Sequence, residues 1–142
     1  MPSQIPATRE ERLNNPMGVE RVAGVTWQGQ SPYQPDERFV SFLGPGWGIR
    51  AGVRCLMTAI DKDGMNTIGK LVDHWAPPNE NDTGAYIADI CQRCSFPNAD
   101  APVTHDSITV KLIQGFIHHE NGRCIYTEEE IRGAISMAKA NP

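Results

Sequence analysis

Apolar residues fall into two regimes along the chain. After Pro45 they recur at helical spacing. Ile49, Val53, Leu56, Met57 and Ile60 form one stripe, which Lys62-Asp63-Gly64 ends. Ile68, Leu71, Val72 and Trp75 form a second, with Asn66 as a candidate cap and Pro77-Pro78 as the stop. A third carries Tyr86, Ile87 and Ile90 behind Asn81 or Asp82 as cap, and Pro97 to Pro102 is a loop. A fourth helix is predicted from about Asp106 to Glu120, stopped by Asn121-Gly122. Thr127 and Glu130 have capping-box spacing and open a last helix with Ile131, Ala134, Ile135 and Ala138 inward.

Before Pro45 the pattern is different. Residues 14–45 are rich in Gly, Pro and Asn and hold short alternating runs. Val19–Val22, Val25–Gln28 and Arg38–Leu43 predict a small antiparallel sheet, with turns at Ala23-Gly24 and around Ser31–Asp36. Residues 1–13 are expected to be an irregular leader, and 14–142 a single domain. The resulting fold class is α+β, mainly helical, with about five helices plus a small N-terminal antiparallel sheet.

The chain has 142 residues, enough to bury a genuine core. Thirteen basic against 17 acidic residues leave a net charge of −4, which argues against a nucleic-acid partner. No apolar run reaches the length of a membrane span. The start, MPSQIPATREER, lacks the apolar stretch of a secretory signal, so synthesis in the host cytoplasm is expected. Cys91 and Cys94 form a single CxxC without the second pair or matched histidines of a zinc site. We expect thiols there, with no metal and no cofactor.

Glu120 is the most unusual residue. On a helical wheel it falls within the apolar arc of the fourth helix, one turn beyond Phe116 and Ile117. It also lies in the last turn, where the helix dipole disfavours a negative charge. Desolvation and the dipole would both raise its pKa, as a glycosidic general acid requires. The alternative is a surface carboxylate beside Arg123 or neutralised by His119.

Several motifs together carry a resemblance. They are Asn14-Asn15-Pro16-Met17-Gly18-Val19, Trp27-Gln28-Gly29, Arg38-Phe39-Val40-Ser41-Phe42, Gly48-Ile49-Arg50-Ala51, Asn66-Thr67-Ile68, Trp75-Ala76-Pro77-Pro78-Asn79-Glu80-Asn81-Asp82-Thr83 and His119-Glu120-Asn121-Gly122. The chain resembles a family of virion-associated or lysis-type proteins of tailed phages and prophages, related to lysozyme-like peptidoglycan hydrolases. It departs at Met17-Gly18-Val19, where the family has Gly-Asn-Ile. The segment Leu112–Gly122 is similar to the catalytic helix of goose-type lysozymes and lytic transglycosylases. There that helix precedes the hairpin region, whereas here it follows. The resemblance therefore implies a lysozyme-like domain in circularly permuted order.

It further implies a peptidoglycan-cleaving glycosidase or lytic transglycosylase with Glu120 as general acid, acting at the cell wall or carried in the virion. The alternative is a non-catalytic virion or tail protein of the same fold, binding glycan or other virion proteins. The acidic charge favours this alternative slightly, because peptidoglycan is itself polyanionic. Substrate-binding candidates are the aromatics Trp27 and Tyr33, the amides Asn14, Asn15 and Asn81, and Glu80. Glu20, Glu80 and Asp82 are candidates for a second carboxylate, although Asp82 also suits a helix cap. Glu10 and Glu11 are rival acids, but with no apolar helix leading to them they are expected to be solvated charges.

Overall fold

The structure is a computed structural model and describes residues 5–140. Among them are six α-helices: α1 (Arg9–Arg12), α2 (Pro45–Lys62), α3 (Ile68–Trp75), α4 (Thr83–Cys94), α5 (Val110–Asn121) and α6 (Glu128–Ala140). A short 3-10 turn, His105–Ser107, precedes α5.

Helix boundaries follow from local chemistry. Asp82 caps α4 by accepting from the Ala85 N–H. The cap of α3 is Thr67, one residue beyond the expected Asn66, and its hydroxyl accepts from the Lys70 N–H. α5 starts later than expected because Asp106 belongs to the 3-10 turn and Thr109 supplies the cap. Gly122 ends it in the left-handed region at φ 74°. Before α6, the Thr127 hydroxyl accepts from the Glu130 N–H, while the Glu130 carboxylate accepts from the Thr127 N–H.

α5 runs through the middle of the core. Leu112, Ile113, Phe116 and Ile117 are fully buried against residues of α2, α3, α4 and α6. A smaller apolar cluster, Val19, Val40, Phe42 and Ala51, fastens the N-terminal segment to α2, with Trp27, Trp47 and Cys55 packed around it. Close approach along α2 depends on missing side chains. A Cβ at Gly48 would lie 2.0 Å from the Asn14 carbonyl oxygen, and one at Gly52 2.4 Å from Met17 Sδ.

The expected N-terminal sheet does not form. Residues 13–43 pair through isolated antiparallel bridges, Glu20 with Phe39 and Gln30 with Phe42. Left-handed residues at Asn14, Gly18, Gly24 and Gly29 interrupt the extended backbone before a ladder can propagate. The expected leader is also more ordered than its composition suggested. Residues 1–4 lie outside the described residues, but α1 is a capped helical turn in which Glu10 and Glu11 are buried rather than solvated.

Candidate functional site

Two ends of the chain build the site. Thr8 caps α1: its hydroxyl accepts from the Glu11 N–H, and the Glu11 carboxylate accepts from the Thr8 N–H. The same hydroxyl donates to Asn121 Oδ1 at 2.6 Å. Asn121 also donates to the carbonyls of Pro16 and Ile117, at 2.8 and 2.9 Å. Arg123 closes the junction with a forked pair onto Glu11, at 2.6 and 3.0 Å. Asn121 therefore stops α5 and also locks α1 against its C-terminal end.

This junction sets two carboxyls against each other. Glu10 is 6% exposed, and Glu120 at the end of α5 forms a side-chain hydrogen bond with it. Such a bond between two carboxyl groups requires a proton on one of them. Gly18 packs over both with φ 69°. Oε2 of Glu10 is sealed from solvent and receives no protein donor. Burial, then the neighbouring Glu120, push Glu10 up to about 9. Glu120 is also raised, by desolvation above all, while hydrogen bonds from Glu10 and Trp75 and the charge of Arg38 pull it back. The two titrate as a pair that holds a proton at neutral pH.

Glu120 does not sit in the core, as the helical wheel placed it. Its side chain is exposed, because the last turn of α5 emerges from the bundle into a cleft. It is nonetheless ringed by protein, which accounts for the desolvation. Neither expected neutraliser reaches it. Arg123 is engaged by Glu11, and His119 bonds Asp89 at 2.7 Å and stacks on Tyr86 at 4.0 Å.

The cleft encloses about 770 Å³. One wall is the N-terminal segment, with Val19, Glu20, Val22, Trp27 and Arg38; the other is the end of α3 and the following loop, with His74, Trp75, Pro77, Glu80 and Asn81. Arg38 pairs with Glu20 and lies 3.7 Å from Glu80 on the opposite wall. Cys55 also reaches the lining, but burial raises its thiol to about 11, so it is not poised as a nucleophile.

The proposed substrate contacts separate into two groups. Trp27, Glu80 and Asn81 line the cleft. Asn14 and Asn15 do not: Asn14 donates to the Phe42 carbonyl, and Asn15 is fully buried and spends its amide on Val19 and Val40. Tyr33 is 72% exposed, outside the lining. From the sequence, Glu10 is a rival acid expected in solvent, Trp75 is a core residue, and Arg38 is missed as a site residue. For α1 a signal was present, since Thr8 and Glu11 have capping-box spacing. Among the described residues no group of three or more His, Cys, Asp or Glu is placed to hold a metal ion.

The chain is 35% identical over 134 residues to Protein P5 of Pseudoalteromonas phage PM2, an alignment that covers 92% of this chain and 82% of that protein. It belongs to the family of that phage protein. No family model matches the chain. No helix among the described residues is long and apolar enough to cross a membrane.

Proposed function

We propose that this protein cleaves the glycan strand of peptidoglycan, with Glu120 as the general acid that protonates the leaving glycosidic oxygen. The observation that carries the reading is the placement of Glu120. A buried apolar helix delivers one carboxyl, its pKa raised by desolvation, to the floor of an open cleft of saccharide size. An acidic helix end set against an irregular hairpin segment is also what a permuted lysozyme-like fold requires. Trp27 offers an aromatic face for a sugar ring, and Asn81 and Glu80 offer polar contacts on the facing wall.

Carboxyl spacing constrains the mechanism. A retaining pair stands roughly 5–5.5 Å apart and an inverting pair roughly 6.5–9.5 Å apart. Glu10 is hydrogen-bonded to Glu120, too close for either role. Attack at the anomeric carbon then falls to a water activated by Glu20 or Glu80, or to a group of the substrate itself, as in a lytic transglycosylase. The family relative supports a phage-associated protein.

The test is loss of turbidity of outer-membrane-stripped Gram-negative walls, comparing wild type with Glu120→Gln. A folded variant should lose about 10²–10⁴-fold in rate. Mass analysis of the released muropeptides then separates a hydrolytic from an anhydro product. Wild-type protein that binds walls without cutting them would favour the non-catalytic virion role.

A further inference from the structure

We propose that Glu10 is a positioning residue: held as a neutral carboxylic acid, it donates its O–H to Glu120 and stabilises the carboxylate that Glu120 becomes on giving up its proton. This rests on the reading of Glu120 as general acid and adds a second group to it.

The geometry carries the inference. Glu10 is almost entirely buried beneath the cleft floor and does not itself line the cleft. Substrate therefore meets Glu120 and not Glu10. Oε1 of Glu10 is pressed against Gly18, and Oε2 lies in a closed space without an N–H or O–H partner. An ionised carboxylate in that setting would be desolvated with no hydrogen-bond donor at Oε2, whereas a neutral acid can donate one hydrogen bond to Glu120.

The charged and titratable surroundings agree. Arg9 on α1 and Arg38 on the hairpin segment face Glu10, but each is already spent, on Asp36 and Glu20 respectively. The Tyr86 phenol on α4 feels both carboxyls and is raised by burial, so it stays neutral. Glu20 faces Glu120 across the cleft and opposes ionisation there, while the Trp75 side chain hydrogen-bonds to Glu120. No free cation among these groups would hold Glu10 ionised.

The chemistry balances in one step. The step starts from the form with a proton on each carboxyl: Glu120 gives its proton to the leaving glycosidic oxygen and becomes a carboxylate. The Glu10 O–H bond stays intact, and its hydrogen bond strengthens as charge appears on Glu120. The attacking water gives its proton to Glu20 or Glu80 and solvent then reprotonates Glu120, or an attacking substrate hydroxyl gives its proton to Glu120 itself, so Glu10 ends as it began. Glu10 acts as a fixed dipole aimed at developing charge.

Two variants and one titration test this. Glu10→Gln keeps size and an N–H donor, and should retain wall-lysing activity within roughly tenfold, far above the general-acid loss of Glu120→Gln. Glu10→Leu keeps volume and burial but removes the donor. It should lose roughly 10²-fold or more, and its alkaline limb should move to higher pH because Glu120 becomes a weaker acid. A merely structural role would leave the limb in place. Carboxyl ¹³C NMR of the wild type, assigned with Glu10→Gln, should show Glu10 titrating above neutrality and falling in Glu120→Gln. Glu10 titrating in the ordinary carboxylate range would overturn the proposal, as would a folded Glu10→Gln protein as inactive as Glu120→Gln. If the wild type cuts no walls while Glu10 titrates high, the glycosidase reading fails and the neutral Glu10 donor stands.

Discussion

Gly18 lies directly over Glu10: a Cβ built on the glycine would stand 2.4 Å from Oε1 of Glu10, and 3.3 Å from Oε1 of Glu120. The residue also has φ 69°, where a side chain is strained whatever the space. Gly18→Ala should therefore both strain the turn and displace the carboxyl pair. We expect a stability loss of about 2 kcal/mol or more, read by denaturant unfolding. Gly24, at φ 81° with open space around it, is the control. Gly24→Ala should cost only the backbone strain and leave wall lysis unchanged.

Burial of Glu10 makes folding stability fall as pH rises. Its folded pKa lies above that of the unfolded chain, so between the two the folded protein holds a proton that the unfolded chain has released. The contribution is fully present below the ordinary carboxylate range and is lost as pH climbs towards about 9. Glu11 and Asp36 act in the opposite sense. The Arg123 guanidinium lowers Glu11 and the Arg9 guanidinium lowers Asp36, so their contribution is lost in acid, below the ordinary range. The melting temperature should peak near pH 5–6 and decline towards pH 9. Glu10→Gln should flatten the alkaline decline and leave the acid limb unchanged. An equally steep alkaline decline in that variant would refute the assignment.

Much of the helical half of this fold was legible in the sequence. The stripes through Leu56, Ile90, Phe116 and Ile135 face the core, and the stops at Gly122 and Pro77 lie where chain chemistry requires them. The N-terminal third was less legible, because its pairing depends on side chains that replace a sheet ladder. Periodicity carries no record of Asn15 bonding to Val40, or of two arginines flanking the Phe39 ring. At the site, Glu120 was visible as an acid on an apolar helix. Glu10 was visible only as a rival acid expected in solvent, because its burial comes from Asn121 and Arg123 gripping α1 from far along the chain.

Asn15 separates structure from substrate binding. Its Oδ1 accepts from the Val19 N–H at 2.8 Å, and its Nδ2 donates to the carbonyls of Val19 and Val40 at 2.9 and 2.8 Å. Asn15→Ala would leave the buried Val19 N–H and Val40 carbonyl unpaired, at about 1–3 kcal/mol each before relaxation, while the Val19 carbonyl keeps the Val40 N–H at 3.1 Å. We expect a net loss of about 3 kcal/mol in chemical unfolding. At a temperature where the variant is still folded, its affinity for soluble glycan fragments should match the wild type. Asn81→Ala should show the reverse, since the Asn81 amide makes only one exposed bond, to the Pro77 carbonyl at 3.2 Å, and lines the cleft.

Trp75 joins the core to Glu120, the proposed acid. One edge packs on Phe116, with ring centroids 5.5 Å apart, and its side chain hydrogen-bonds to Glu120. That bond favours the ionised form of Glu120, so it opposes the rise caused by desolvation. Trp75→Phe keeps an aromatic edge against Phe116 but removes the indole donor. Glu120 should then titrate at higher pH, and the alkaline limb of wall lysis should move upward. Rate at the optimum should fall by roughly tenfold or more, because the carboxylate formed on proton transfer loses a donor. The stability change should be modest, about 1–2 kcal/mol, since the ring that contacts Phe116 remains. A variant with unchanged pH dependence but a large loss of stability would place Trp75 in the core alone and remove it from the chemistry of Glu120.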